Sequence, residues 1–187
     1  MISLGISGNS RTPKKNENKS FDANSLPKLE GEETGKVPIY DTCNDVRAKI
    51  NRHLRNQKGA SQAALARELS KCIPSSRGPV SAASLASFLK KNGHLAGNTS
   101  AAFYAGYVYF EKLRLRDGKP KSKKREEMEV VWAEEGGVQT DRDPKHMHMT
   151  LPQGTHWWIN KYGQPEDDFQ YSGRGLMQIF MPLMEEA

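Results

Sequence analysis

Val46, Ile50 and Leu54 recur at every fourth position, while Arg47, Lys49, Arg52 and Arg55 fall off that line. This period predicts a first amphipathic helix from about Thr42 to Gln57. Asp41 or Thr42 followed by Asp45 supplies its start, a capping side chain and then an acid in the first turn, and Gly59 ends it. Ser61 caps a second helix, Gln62 to about Cys72, whose Ala64, Leu65, Ala66 and Leu69 offer a small-residue face for close packing. Pro74-Ser75-Ser76-Arg77-Gly78-Pro79 then forces a loop. Ser81 caps a third helix that runs through Leu85, Phe88 and Leu89 towards Gly93. A longer fourth helix follows Asn98-Thr99-Ser100. It carries Phe103, Tyr107, Phe110 and Leu113 or Arg114 at helical spacing and stops at Asp117-Gly118. A fifth, with Met128, Val131 and Trp132 as a narrow apolar stripe, ends at Gly136-Gly137. Nothing between 38 and 137 reads as a strand pair, so the expected fold is all-α, a helix-turn-helix-like bundle of about five helices.

The flanks lack this periodicity. Ser7 to Lys36 is dominated by Ser, Asn, Lys, Glu, Gly and Pro, and the composition changes at Val37-Pro38-Ile39-Tyr40. Residues 1–37 are therefore expected to be a disordered leader and 38–137 the helical domain. Residues 138–187 are expected to be an irregular or partly disordered tail, although they hold Trp157, Trp158, Tyr162, Phe169, Tyr171 and Phe180. Over the 187 residues only 36% are hydrophobic, and no apolar run approaches the roughly 20 residues of a membrane span. With no amino-terminal signal region either, the expectation is a soluble intracellular protein.

The formal net charge of +6 is unevenly distributed. The leader has six basic against five acidic residues, the central domain 18 against 10, and the tail four against seven. A concentrated positive domain favours a polyanionic partner. Cys43 and Cys72 are too few for a disulfide framework and sit in no zinc-binding spacing. His146-Met147-His148 lacks further ligands, so no metal is expected. Phe103, Tyr104, Tyr107, Tyr109 and Phe110 could stack bases, but at helical spacing they are better read as core. No nucleophile elbow, Walker loop or HExxH is present, so neither an enzyme nor a cofactor is expected.

The serine-capped Ser61–Leu69 segment followed by the serine-capped Ser81–Leu89 segment is similar to helix-turn-helix DNA-binding modules. It departs from them in the long connection holding Pro74, Gly78 and Pro79. Under this reading the third helix, with its Ser81 cap part of the DNA-binding set, lies in the major groove of double-stranded DNA, with Ala82, Ala83, Ser84 and Ser87 towards the bases. Arg55, Lys58, Arg67, Lys71, Arg77, Lys90 and Lys91, with the helix start at Gln62, meet phosphates. The groove-facing groups are small and include no Arg, Asn or Gln, so weak sequence specificity follows. The alternative is a helical protein–protein interaction module of a nuclear regulatory complex.

Lys119, Lys121, Lys123, Lys124 and Arg125 form a compact basic run flanked by helix breakers, which reads as an exposed signal for a nuclear import receptor. Phosphorylation of Ser122 inside it would oppose that role. Tyr40-Asp41-Thr42-Cys43, Val46-Arg47-x-Lys49-Ile50, Ala96-Gly97-Asn98-Thr99-Ser100, Tyr107-Val108-Tyr109-Phe110-Glu111-Lys112-Leu113-Arg114 and Gly118 to Arg125 together carry a likeness. Over about 38–137 the chain resembles a fungal domain family of unknown function found in presumed nuclear proteins. The resemblance implies a helical nuclear module with no assigned reaction.

Overall fold

The computed structural model describes residues 26–57, 60–143 and 153–168. It contains α1 (Cys43–Asn56), α2 (Gln62–Ser70), a single 3₁₀ turn at Ser75–Arg77, α3 (Ala82–Lys90), α4 (Ala101–Arg116) and α5 (Lys123–Val131). Two short strands, β1 (Trp157–Ile159) and β2 (Pro165–Asp167), complete it. The mostly helical, five-helix architecture is the one the apolar spacing predicts. Each helix begins where a side-chain cap satisfies amides of the first turn. Thr42 forms a reciprocal capping box with Asp45 at α1, and Ser61, Ser81, Ser100 and Ser122 cap the other four.

α4 is the central post. Ala102, Phe103, Tyr104, Ala105, Gly106, Tyr107, Val108 and Tyr109 are all buried, so this stretch has no solvent stripe, and α1, α2 and α3 pack around it. The aromatic residues singled out in the sequence are thus core, with Phe88 of α3 tilted against Phe103 at 6.1 Å between ring centroids. Gly106 sets how closely α1 approaches: a Cβ placed there would stand 2.8 Å from Val46 Cγ1 and 3.3 Å from Ile50 Cδ1. The α2 to α3 connection is closed by Ser70, whose hydroxyl accepts from the Val80 N–H at 2.9 Å and lies 2.8 Å from the Ala66 carbonyl oxygen.

Two boundaries differ from those expected. The domain does not begin at residue 38, because residues 26–37 are packed on it, with Leu26 and Val37 buried. The Val37 N–H donates to the Tyr104 hydroxyl at 3.3 Å, the Arg77 guanidinium donates to the Gly35 carbonyl at 2.9 Å, and the Lys112 ammonium pairs with the Glu32 carboxylate. These ties use backbone groups and single charges rather than a repeating apolar face, so periodicity does not register them. Residues 1–25 of the expected leader lie outside the described residues.

Nor is the segment after 137 irregular throughout. The Val138 N–H donates to the Ile39 carbonyl at 2.7 Å. Gly137, with φ of 111°, lets the backbone pass so close that a Cβ would meet Ile39 N at 2.6 Å. β1 and β2 form an antiparallel hairpin pairing Trp157 with Asp167 and Ile159 with Pro165. Its turn docks on the end of α5: Trp132 Nε1 donates to the Tyr162 carbonyl at 2.9 Å, Gln164 Nε2 to the Val131 carbonyl at 2.8 Å, and the Tyr162 hydroxyl to Glu127 at 3.0 Å. Three-residue strands are too short to show alternation in the sequence.

Candidate nucleic-acid interface

α3 buries Leu85 and Phe88 and turns Ala82, Ala83, Ser87 and Lys90 to solvent, as the apolar positions dictate. Its outer surface is therefore almost featureless up to Lys90 and Lys91. Ser81 caps the helix as expected, but Ser84 differs from the expectation that it faces bases. The Ser81 hydroxyl accepts from the Ser84 N–H at 3.0 Å, while the Ser84 hydroxyl accepts from the Ser81 N–H at 3.0 Å and donates to the Ser81 carbonyl at 2.9 Å. Both hydroxyls are engaged in starting the helix. Of the expected base-facing residues, Ala82, Ala83 and Ser87 are the ones whose side chains point outward without a bond among the described residues.

The expected phosphate contacts divide into three groups. Arg55 of α1, Gln62 and Arg67 of α2, and Lys90 and Lys91 at the end of α3 are exposed, and their side chains form no hydrogen bond or ion pair among the described residues. Lys71 is exposed but paired with Glu68 at 3.1 Å. Arg77 does not belong to the set: besides holding Gly35, it donates to Thr140 Oγ1 at 3.1 Å and stacks over Tyr104 at 4.0 Å from the ring centroid. It is a clamp between the 26–37 segment, the 3₁₀ turn and α4, because its planar fork matches several carbonyl and hydroxyl acceptors at once. Lys58 lies outside the described residues.

The basic run also divides. Lys119, Lys121 and Lys123 are exposed, the first two paired with Asp117 and Glu129. Lys124 and Arg125 do not fit an open peptide signal. The Lys124 ammonium sits 2.7 Å from both oxygens of Asp45, tying α5 to the α1 capping box. Arg125 is only 9% exposed. Its Nε donates to Glu129 at 2.9 Å, its outer nitrogens lie 3.5 Å from Glu111, and the rings of Tyr40 and Tyr107 flank it at 5.1 Å. Ser122 starts α5 inside the run, which is why the breakers at Gly118 and Pro120 do not leave the whole run open.

These pairings set local electrostatics. Burial alone would raise the Glu111 carboxyl, but the hydrogen bond from Arg114 and the charges of Arg125, Arg114 and Lys49 hold it below the ordinary carboxylate range. Asp45 is likewise held low: burial opposes, and Lys124 and Thr42 prevail. Desolvation pushes the Cys43 thiol up to about 12 and the Cys72 thiol to about 11, so both are neutral near pH 7.

Two further features mark this surface. Between Val46 and Phe110 the chain carries ten basic residues and one acid, Glu68. The acids gather outside that span. Asn51 and Arg52 of α1 are also exposed and make no side-chain hydrogen bond or ion pair among the described residues. Their position opposite Val46, Ile50 and Leu54 was available in the period of the first helix, whereas the helix-turn-helix pattern directs attention to the third.

Among the described residues no group of three or more His, Cys, Asp or Glu could hold a metal ion, and no helix is long and apolar enough to cross a membrane. His146 and His148 lie outside the described residues. No curated protein and no solved structure matches the chain. Residues 37–120, which span α1 to α4, are similar to a family model described as a domain of unknown function, DUF7726.

Proposed function

We propose that the chain is a duplex-DNA-binding module that holds phosphates through exposed cations of α1, α2 and α3 and discriminates weakly between sequences. The observation that carries this reading is the charge segregation of residues 46–110, ten basic residues against Glu68 alone, with Arg52, Arg55, Arg67, Lys90 and Lys91 exposed and outside any ion pair among the described residues. Lys71, Lys119 and Lys121 are neutralised by neighbouring carboxylates, whereas among the described residues these five cations are not. Unpaired cations on one acid-poor stretch suit release of counterions from a polyanion. Within this proposal the protein is a nuclear regulator of fungal type, in keeping with the resemblance of its central segment, and an import receptor reads Lys119, Lys121 and Lys123.

The test is a titration of the full chain with duplex DNA at several salt concentrations. If all five cations neutralise phosphates, log K falls against log salt with a slope of about −4.5, and Arg67→Ala or Lys90→Ala each reduces its magnitude by about 0.9. Absence of salt-sensitive association with any duplex at low ionic strength refutes the reading. A second reading, a protein-interaction module, is favoured by one observation: the smooth Ala82, Ala83 and Ser87 face of α3, where another helix could approach closely.

A further inference from the structure

α1 presents a solvent stripe of a chemistry that α3 lacks. Ala48, Asn51, Arg52 and Arg55 are all exposed and follow one another at three-, four- and seven-residue offsets from Ala48, so they share one face of the helix. The opposite face, Val46 and Ile50, is buried against Gly106 of α4, and this fixes the direction in which the stripe points. From Ala48 to Arg55 it runs about 10 Å, close to three base-pair steps.

The residue types matter as much as the position. Arg matches the O6 and N7 acceptors of guanine with two donors, Asn matches adenine with one donor and one acceptor, and an alanine methyl suits thymine. Asn51 adds to the two arginines a side chain that can both donate to and accept from a base edge. The side chains of Asn51, Arg52 and Arg55 form no hydrogen bond or ion pair among the described residues, so these donors and acceptors are directed at solvent.

The loop after α3 is tied to the start of the same helix. Buried Arg47 donates to the Ala96 carbonyl at 2.8 Å and to the Gly93 carbonyl, and its guanidinium covers the Phe88 ring at 5.0 Å. The Cys43 N–H donates to the His94 carbonyl at 2.7 Å. These bonds fasten the end of α3 and the loop after it to the first half of α1, and Lys91 lies near enough to Cys43 for its charge to act on that thiol.

We infer that α1, and not α3, is the base-reading helix, with Asn51 and Arg52 contacting base edges in the major groove while Lys90 and Lys91 hold the flanking phosphates. This rests on the DNA-binding reading above and adds where sequence is recognised.

The experiment begins with selection from a random duplex pool by the full chain. Binding of the selected duplex is then compared with a scrambled one of equal length, for the wild type and for Asn51→Ala, Arg52→Ala, Arg52→Lys and Ser87→Ala, each checked for an unchanged thermal melt. The wild type should prefer the selected duplex by about tenfold or more, and Asn51→Ala and Arg52→Ala should each cut that ratio by about fivefold or more. Ser87→Ala should change it less than about twofold. Arg52→Lys keeps the charge but loses the planar fork, so it should retain affinity for the scrambled duplex while losing the preference. If salt-sensitive binding persists but the wild type shows no preference, or Asn51→Ala and Arg52→Ala leave it intact, or Arg52→Lys preserves it, α1 does not read bases and the phosphate-binding proposal stands alone. If no duplex binds at all, both fall.

Discussion

Replacing Gly106 by alanine tests the packing of α1 on α4, on which the α1 surface depends. In an unconstrained helix the change is favourable by about 1 kcal/mol, because alanine loses less backbone freedom on folding. Here the new methyl stands 2.8 Å from Val46 Cγ1 and 3.3 Å from Ile50 Cδ1. Ordinary carbon contacts begin near 3.4 Å, so the two helices must part by about 0.6 Å or Val46 must leave its rotamer. Val46 is fully buried and stiff at χ1, which leaves helix movement as the main relief. Overpacking of this kind costs about 1–3 kcal/mol, so the expected net effect is a loss of about 1 kcal/mol. Urea unfolding followed by far-ultraviolet circular dichroism measures it, as a lower midpoint with an unchanged slope. In a Val46→Ala background the closest methyl is gone, only the slight approach to Ile50 Cδ1 at 3.3 Å remains, and the same substitution should become neutral or stabilising. A gain of about 1 kcal/mol from Gly106→Ala in the otherwise wild-type protein would show that the helices are not held at this distance.

Arg77→Ala should cost about 2 kcal/mol in urea unfolding, through loss of the charged hydrogen bonds to Gly35 and Thr140 and the stacking on Tyr104, while leaving the salt dependence of DNA binding unchanged; a shallower salt slope would return Arg77 to the interface. Glu111 titrates below its unfolded value of about 4.3, so its carboxylate contributes stability that is complete above that pH and is lost as pH falls through the lower folded value. Glu111→Gln should therefore flatten the stability curve below about pH 4.5, and an unchanged curve would remove Glu111 from the acid response. For nuclear import, a large fluorescent fusion carrying Lys119→Ala, Lys121→Ala and Lys123→Ala should lose nuclear enrichment with its melting temperature preserved; retained enrichment excludes these three lysines as the signal.

The helices were legible because their determinants are local: a serine or threonine cap, an apolar residue every third or fourth position, and a breaker at the end. What escaped the sequence is decided by residues far apart. Glu32 meets Lys112 across 80 positions, and nothing near either marks the partnership. The Tyr162 turn shows no periodicity of its own and is held by Trp132 and Glu127. Among the candidate site residues, residue type alone did not separate a cation that faces solvent from one that holds the fold together. Arg67 and Arg77 look alike in the chain, yet one is exposed and the other grips a carbonyl 42 positions away. Ser84 and Ser87 differ for a similar reason, since only the residue three places after the cap closes a capping box.

The attachments of residues 26–37 also bear on the timing of synthesis. Val37 waits for Tyr104, 67 residues downstream, and Glu32 for Lys112, 80 residues downstream. At about 5–20 residues per second, Glu32 leaves the peptidyl-transferase centre some 4–16 s before its counter-charge is even polymerised. The helices close within a few turns of their own start, so this early-made segment is the late-docking one. During that interval its binding place along Arg77, Tyr104 and Lys112 is still incomplete. A ribosome-stalled chain ending shortly after Arg77 should therefore leave residues 26–37 open to protease, and one extended well past Lys112 should protect them.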